Sequence, residues 1–181
     1  MLDDQYDAVV YDLDGTLVRL DVDWGAVTRD VQAVYDEHDV DDVDGDGGLW
    51  SLFLAADSHD IAAEVERTIS RHERAGATSS RRLPLADRVS DHSVPVGVCS
   101  LNSESAVRMA LETHGLDADV AAVIGRDSVP GQKPDPEPLL ATIDGLPATV
   151  ERPVFVGDSP RDATTADRAD IAYRAVDDLL K

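Results

Sequence analysis

The chain has 181 residues, 43% of them hydrophobic, which suits one buried core with a modest insertion and argues against wholesale disorder. Acidic residues number 37 against 16 basic ones, a formal net charge of −21. Such a surface repels phosphate backbones and anionic bilayers, so nucleic acid and membranes are not expected partners.

Residues 7–12, DAVVYD, form a short apolar run ending in acid and predict a buried strand, after which the chain turns at LDGT. The next stretch, 20–82, is too long for a simple crossover and contains two helical patterns. One spans 25–37, with Val27, Val31, Val34 and Tyr35 on one stripe. The other spans 59–74, with Ile61, Val65 and Ile69 at four-residue spacing. The segment GATSSRRLPLADRVSDHS reads as a loop-rich return. Residues 94–100, VPVGVCS, predict a second strand. A helix over 103–114 follows, with Asn102 or Ser103 as its N-cap and Gly115 as its stop. Strands at 120–125 and 152–158, a helix at 159–169 and a short IAYRAV run complete the pattern. Alternating strands and helices predict an α/β fold, a Rossmann-like parallel sheet core with a small α-helical cap inserted after the first strand. The core is expected at 1–19 and 83–181 and the helical cap at 20–82.

Cys99 is the only cysteine, so no intramolecular disulfide is possible, and its apolar surroundings read as a buried small hydrophobe. The start MLDDQYDAVVYD has neither the basic nor the apolar region of a signal peptide. No apolar stretch approaches the roughly 18 residues of a membrane span. A cytoplasmic location is expected. Of the acids, 29 are aspartate, and lysine occurs only as Lys133 and Lys181. Abundant aspartate, scarce lysine and few aromatics make up the composition expected of a haloarchaeal cytosolic protein.

In open parallel sheets, ligands bind beyond the carboxyl ends of the strands. Asp12 and Asp14 follow the first predicted strand, Ser100 and Asn102 the second, and Asp158 and Asp162 the fourth. Lys133 lies just beyond the third, in the loop PGQKPDPEPL. Four segments thus deliver acids, a hydroxyl, an amide and an ammonium to one rim. Asp12, Asp14 and Asp158 offer hard oxygen ligands that suit Mg²⁺. One carboxylate can attack phosphorus, and another two residues on can protonate a leaving group and then activate water. The hydroxyl, amide and lysine can hold phosphoryl oxygens.

DLDGT at 12–16, Ser100 at a strand end, Lys133 in QKPDP, and GDSPRD at 157–162 resemble the four ordered motifs of the haloacid dehalogenase superfamily. The resemblance covers about residues 5–19 and 83–175, and the insertion is similar to the helical C1-type cap of its phosphoglycolate phosphatase and β-phosphoglucomutase branch. It implies a Mg²⁺-dependent phosphatase acting on a small-molecule phosphate ester through an aspartyl-phosphate. Asp12 would be nucleophile and metal ligand. Asp14 would be general acid/base, binding metal through its backbone carbonyl. Ser100, Lys133 and Asn102 would hold phosphate. Asp158 would bind metal, supported by Asp162 and Thr16. Many relatives place the asparagine directly after the Ser or Thr, whereas Leu101 intervenes here. A phosphomutase and a pyrophosphatase share these motifs. A receiver-like phospho-acceptor module uses similar acids but needs no Asp14. Both a monomer and a homodimer are compatible with the chain.

The DVDGDG loop at 42–47 matches the first half of an EF-hand, but its twelfth position is Phe53 where glutamate is required. It reads as an acidic cap loop. Trp24 and Trp50 read as core residues of the cap. Arg19 can meet an anionic substrate or pair with a neighbouring aspartate.

Overall fold

The computed structural model describes residues 2–40 and 48–181, and the acidic 42–47 loop lies outside them. Five strands form one sheet: β1 (Ala8–Tyr11), β4 (Val96–Cys99), β5 (Ala122–Ile124), β6 (Pro153–Gly157) and β7 (Ala172–Ala175). Their order is β5-β4-β1-β6-β7 and every pairing is parallel. All four residues of β1 and of β4 are buried, as a strand covered on both faces requires. From β1 the chain builds outward to β5, then crosses to the other side for β6 and β7. The carboxyl end of β1 therefore sits beside the point where the strand order reverses.

Helices α4 (Glu104–Thr113), α5 (Glu137–Asp144) and α6 (Pro160–Arg168) follow β4, β5 and β6. As expected, Ser103 is the N-cap of α4, and Gly115 follows its end with φ +64°. A capping box opens α6, in which Ser159 and Asp162 bond each other's backbone N–H.

The insertion leaves at β2 (Val18–Arg19) and returns at β3 (Arg81–Arg82), which pair antiparallel as a two-stranded stem. Between them lie α1 (Trp24–Glu37), α2 (Gly48–Ala55) and α3 (Ala62–Thr78). The stripe residues Val27, Val31, Val34, Tyr35, Ile61, Val65 and Ile69 form a buried cluster of their own, joined by Leu52 of α2.

Several features differ from the sequence expectation, which contained no helix at α2 or α5. The stretch over 59–74 is a 3-10 turn followed by α3, which runs on to Thr78. The segment read as loop contains β3 and a 3-10 helix, Pro84–Asp91, whose Leu85, Ala86 and Val89 are buried. The two tryptophans are absent from the insertion's cluster; Trp24 is 43% exposed, and both line the cavity described next.

Candidate active site

Lys133 is the hub of the rim. Its side chain is 2% exposed. Nζ donates to Asp12 Oδ1 at 2.7 Å, to Asp162 Oδ1 at 2.6 Å and to the Cys99 carbonyl at 3.2 Å. Three strand ends thus meet on one ammonium. Burial alone would lower its pKa, but the Asp12 and Asp162 carboxylates outweigh that and raise it, so the lysine stays charged. The aromatic face of Phe155 backs it, with Nζ 5.4 Å from the ring centroid. The Cys99 thiol beside it is pushed up to about 12 by burial, which makes it inert.

Asp12 is buried, and burial pushes its carboxyl up to about 6 against the pull of Lys133, with Asp162 and Asp158 acting in the same direction as burial. Thr16 Oγ1 donates to its other oxygen at 3.4 Å. Asp14 lies at the turn after β1, where Oδ1 accepts the Leu20 N–H at 2.9 Å. Burial raises its pKa too, although the Leu20 bond and the charge of Arg19 oppose the shift. Gly15, the residue after Asp14, has φ +97°, and a Cβ there would collide with the Asp158 carboxylate. The DxDGT turn therefore needs glycine for conformation and for space. Gly157 similarly leaves room for the Asp162 carboxyl.

Asp158 is exposed and its pKa is raised, first by partial burial and then by Asp162. Single oxygens of Asp12, Asp158 and Asp162 come within 4.8 Å of one another. Both Asp162 oxygens already have partners, since Oδ1 takes Lys133 and Oδ2 takes the Ser159 hydroxyl at 2.6 Å. Asp12 Oδ2 has only the long Thr16 contact at 3.4 Å, which leaves Asp12 and Asp158 as the carboxylates more open to a cation. Five carboxylates, Asp12, Asp14, Glu73, Asp158 and Asp162, border the cavity with Lys133, Arg126 and Arg161. Glu73 is paired with Arg126, and the remaining excess of hard oxygen donors around Lys133 fits a divalent ion such as Mg²⁺.

Ser100 is buried at the end of β4 and donates to Asn102 Oδ1 at 3.2 Å. The amide nitrogen of Asn102 turns away to Glu73 Oε1 at 3.1 Å. Glu73, fully buried on α3, also accepts the Ser103 N–H at 2.9 Å. Its counter-charge is Arg126, which donates to Glu73 at 2.7 and 3.1 Å, to Glu66 at 2.7 and 2.9 Å, and to the Leu101 carbonyl at 2.8 Å. Burial would lower the pKa of Arg126, but the two glutamates raise it. This node ties the insertion to the loops after β4 and β5. Sequence reasoning missed it, although a signal was present. Glu73 continues the Val65, Ile69 spacing, and a carboxylate on an apolar stripe needs a buried partner.

The cavity over these groups holds about 610 Å³ and is roofed by Trp24, Leu49, Trp50, Phe53 and Ile69 of the insertion. Within the roof, Trp50 and Phe53 stack with centroids 5.3 Å apart. Arg126 lies over Phe53 at 5.4 Å and Arg161 over Trp50 at 5.3 Å. Two arginines of the sheet body therefore grip α2 from either side.

A family profile described as haloacid dehalogenase-like hydrolase matches residues 58–176, beginning downstream of Asp12 and Asp14. A phosphoglycolate phosphatase from Rhodospirillum rubrum is 33% identical over 184 residues, spanning 91% of this chain and 76% of that protein. Another from Cereibacter sphaeroides is 33% identical over 181 residues, spanning 91% of this chain and 82% of the relative. The crystal structure of CbbY from Rhodobacter sphaeroides in complex with phosphate superposes with a TM-score of 0.69 at 18% identity, covering 94% of this chain and 85% of that one; at that identity the likeness concerns the fold. The parallel sheet, the acid-lined rim and these matches over most of the chain make this protein an enzyme of the haloacid dehalogenase-like hydrolase family.

Proposed function

We propose that the chain is a Mg²⁺-dependent phosphatase of small phosphorylated metabolites, with phosphoglycolate the first candidate, working through an aspartyl-phosphate on Asp12. The observation that carries this reading is the buried Lys133 bridging Asp12 and Asp162 beneath a cavity that also exposes Asp14, Ser100 and Asp158. The names of the curated relatives agree with it.

Asp12 and Asp158 would hold the metal through their carboxylates and Asp14 through its backbone carbonyl. Bound there, Mg²⁺ would neutralise phosphoryl charge. Lys133 holds the Asp12 carboxylate in place, and one carboxylate oxygen attacks phosphorus. The ester P–O bond breaks as the Asp12 O–P bond forms, and the leaving alkoxide takes the Asp14 proton. The raised pKa of Asp14 keeps that proton available to higher pH than an ordinary carboxyl would. Asp14 then removes a proton from water, whose oxygen attacks phosphorus and releases phosphate and free Asp12. Ser100 and Lys133 hold the phosphoryl oxygens meanwhile.

Residues 20–82 act as a cap over the core of 1–19 and 83–181, excluding water and choosing the ester. No helix among the described residues is long and apolar enough to cross a membrane, and we place the enzyme in the cytoplasm of a halophile, as its acidic composition suggests. The test is phosphate release across a panel of small phosphate esters, hexose phosphates and pyrophosphate in molar KCl with Mg²⁺. Release from small esters, lost on chelation, is expected. A panel blank throughout would overturn the assignment.

A further inference from the structure

Of the two arginines that grip α2, only one is spent. Arg126 directs its N–H groups into Glu66, Glu73 and the Leu101 carbonyl, so no charge remains for a ligand. Arg161 differs. It lies with its guanidinium over the Trp50 ring, borders the cavity above Asp12 and Asp14, and has no carboxylate partner and no side-chain hydrogen bond among the described residues. Most arginines of the chain likewise lack an ion pair among the described residues, and Arg161 is set apart from them by its place on the cavity wall beside Trp50. The cation–π contact with Trp50 holds the guanidinium beside the cavity, and no carboxylate among the described residues claims its N–H donors.

Resting on the phosphatase reading, we propose that Arg161 is the specificity-determining residue, recognising a second anionic group on the substrate at the end remote from phosphorus. Lys133 and the metal ligands take the phosphoryl end at the floor. The roof offers mostly apolar surface from Leu49, Trp50 and Phe53, which has few groups to hydrogen-bond a polyhydroxylated sugar. Arg161, beside the roof, can take a carboxylate through its unpaired N–H donors as a bidentate pair. The class selected is a short phosphate monoester bearing a carboxylate, in preference to a neutral ester of equal length. Sequence position did not reveal this, because Arg161 looks like filler within GDSPRD. The signal lies in its stack on Trp50.

The experiment compares 2-phosphoglycolate with 2-hydroxyethyl phosphate at one fixed KCl and Mg²⁺ concentration, in wild type, Arg161→Gln and Arg161→Lys. Arg161 is exposed, so neither substitution disturbs the core. The wild type should favour the carboxylated ester, and Arg161→Gln should cut the kcat/KM ratio of carboxylated to neutral ester about tenfold or more, through KM. Arg161→Lys, which keeps charge and loses the bidentate fork, should fall between. A ratio equal in wild type and Arg161→Gln overturns the proposal. The same two ligands are titrated calorimetrically into the Asp12→Asn protein with and without Arg161→Gln, which reads binding whether or not turnover occurs. A Kd ratio that collapses with Arg161→Gln while wild type hydrolyses nothing would sink the phosphatase reading and keep the arginine assignment. Turnover with no carboxylate preference would do the reverse.

Discussion

Replacing Lys133 by arginine keeps the charge and changes its shape, which isolates what the ammonium contributes. Nζ is within 2.7 Å of Asp12 Oδ1 and 2.6 Å of Asp162 Oδ1. Each contact is worth about 6 kcal/mol of Coulomb energy at an effective dielectric near 20, before desolvation is subtracted. Removing the charge altogether, as in Lys133→Met, leaves buried carboxylates unpaired at a cost of about 3–5 kcal/mol. Lys133→Arg avoids that loss, but the wider, planar guanidinium must fit between two carboxylates, the Cys99 carbonyl and the Phe155 ring. Overpacking of this kind costs about 1–3 kcal/mol, or roughly 2–12 °C in Tm for a chain of this size. The fold survives, while the fork pulls Asp12 toward bidentate geometry. A nucleophile displaced by about 1 Å loses on the order of 100-fold in rate. Thermal unfolding and Mg²⁺-dependent hydrolysis of an aryl phosphate measure the two effects. Activity within threefold of wild type would refute the argument that a compact point charge is required.

Three further outcomes are expected. Asp14→Asn accepts a phosphoryl group on Asp12 from an aryl phosphate but releases phosphate about 10²–10⁴-fold more slowly; a burst followed by slow turnover in rapid-quench assays is the signature, and wild-type turnover would remove the acid/base role. Asp12 must be ionised to attack, so kcat/KM falls as pH drops through its pKa. Without metal that lies at about 6, and a bound cation favours the carboxylate, so lowering Mg²⁺ should move the acid limb upward toward that value; a limb fixed at every Mg²⁺ concentration would contradict the metal assignment. Finally, screening over about 3 Å in molar salt against about 30 Å at 0.01 M should separate a folded from an unfolded protein at net charge −21. A cooperative thermal transition that is unchanged in dilute buffer would dismiss the halophilic reading.

The centre of the parallel sheet was legible because β1, β4 and β6 are each a short apolar run followed by a polar residue. The rim groups were legible for the same reason, since Asp12, Ser100 and Asp158 occupy strand ends. Two helices escaped. Gly48–Ala55, GLWSLFLA, is apolar on nearly every face, so the 3.6-residue period has nothing to contrast. Glu137–Asp144 follows a proline-rich loop that reads as a turn, yet its prolines sit in the first turn, where a missing N–H costs nothing. The tryptophans were misplaced because an aromatic among helices is usually core, and nothing in one dimension distinguishes a roof from a core. Arg126 and Arg161 were hidden for a similar reason, since their roles depend on neighbours 60 and 111 residues away, Glu66 and Trp50. Asn102 was visible as a rim residue, but its amide is claimed by Glu73, a partner from another part of the chain.

The central claim is that phosphorus passes through Asp12. Asp14→Asn protein quenched during reaction with an aryl phosphate and Mg²⁺, then digested and sequenced by mass spectrometry, reads this directly. The account predicts one acid-stable phosphoryl group on the peptide carrying residues 7–19, located at Asp12 and lost in Asp12→Asn. Phosphoryl on any other residue, or steady turnover by Asp12→Asn, would contradict it.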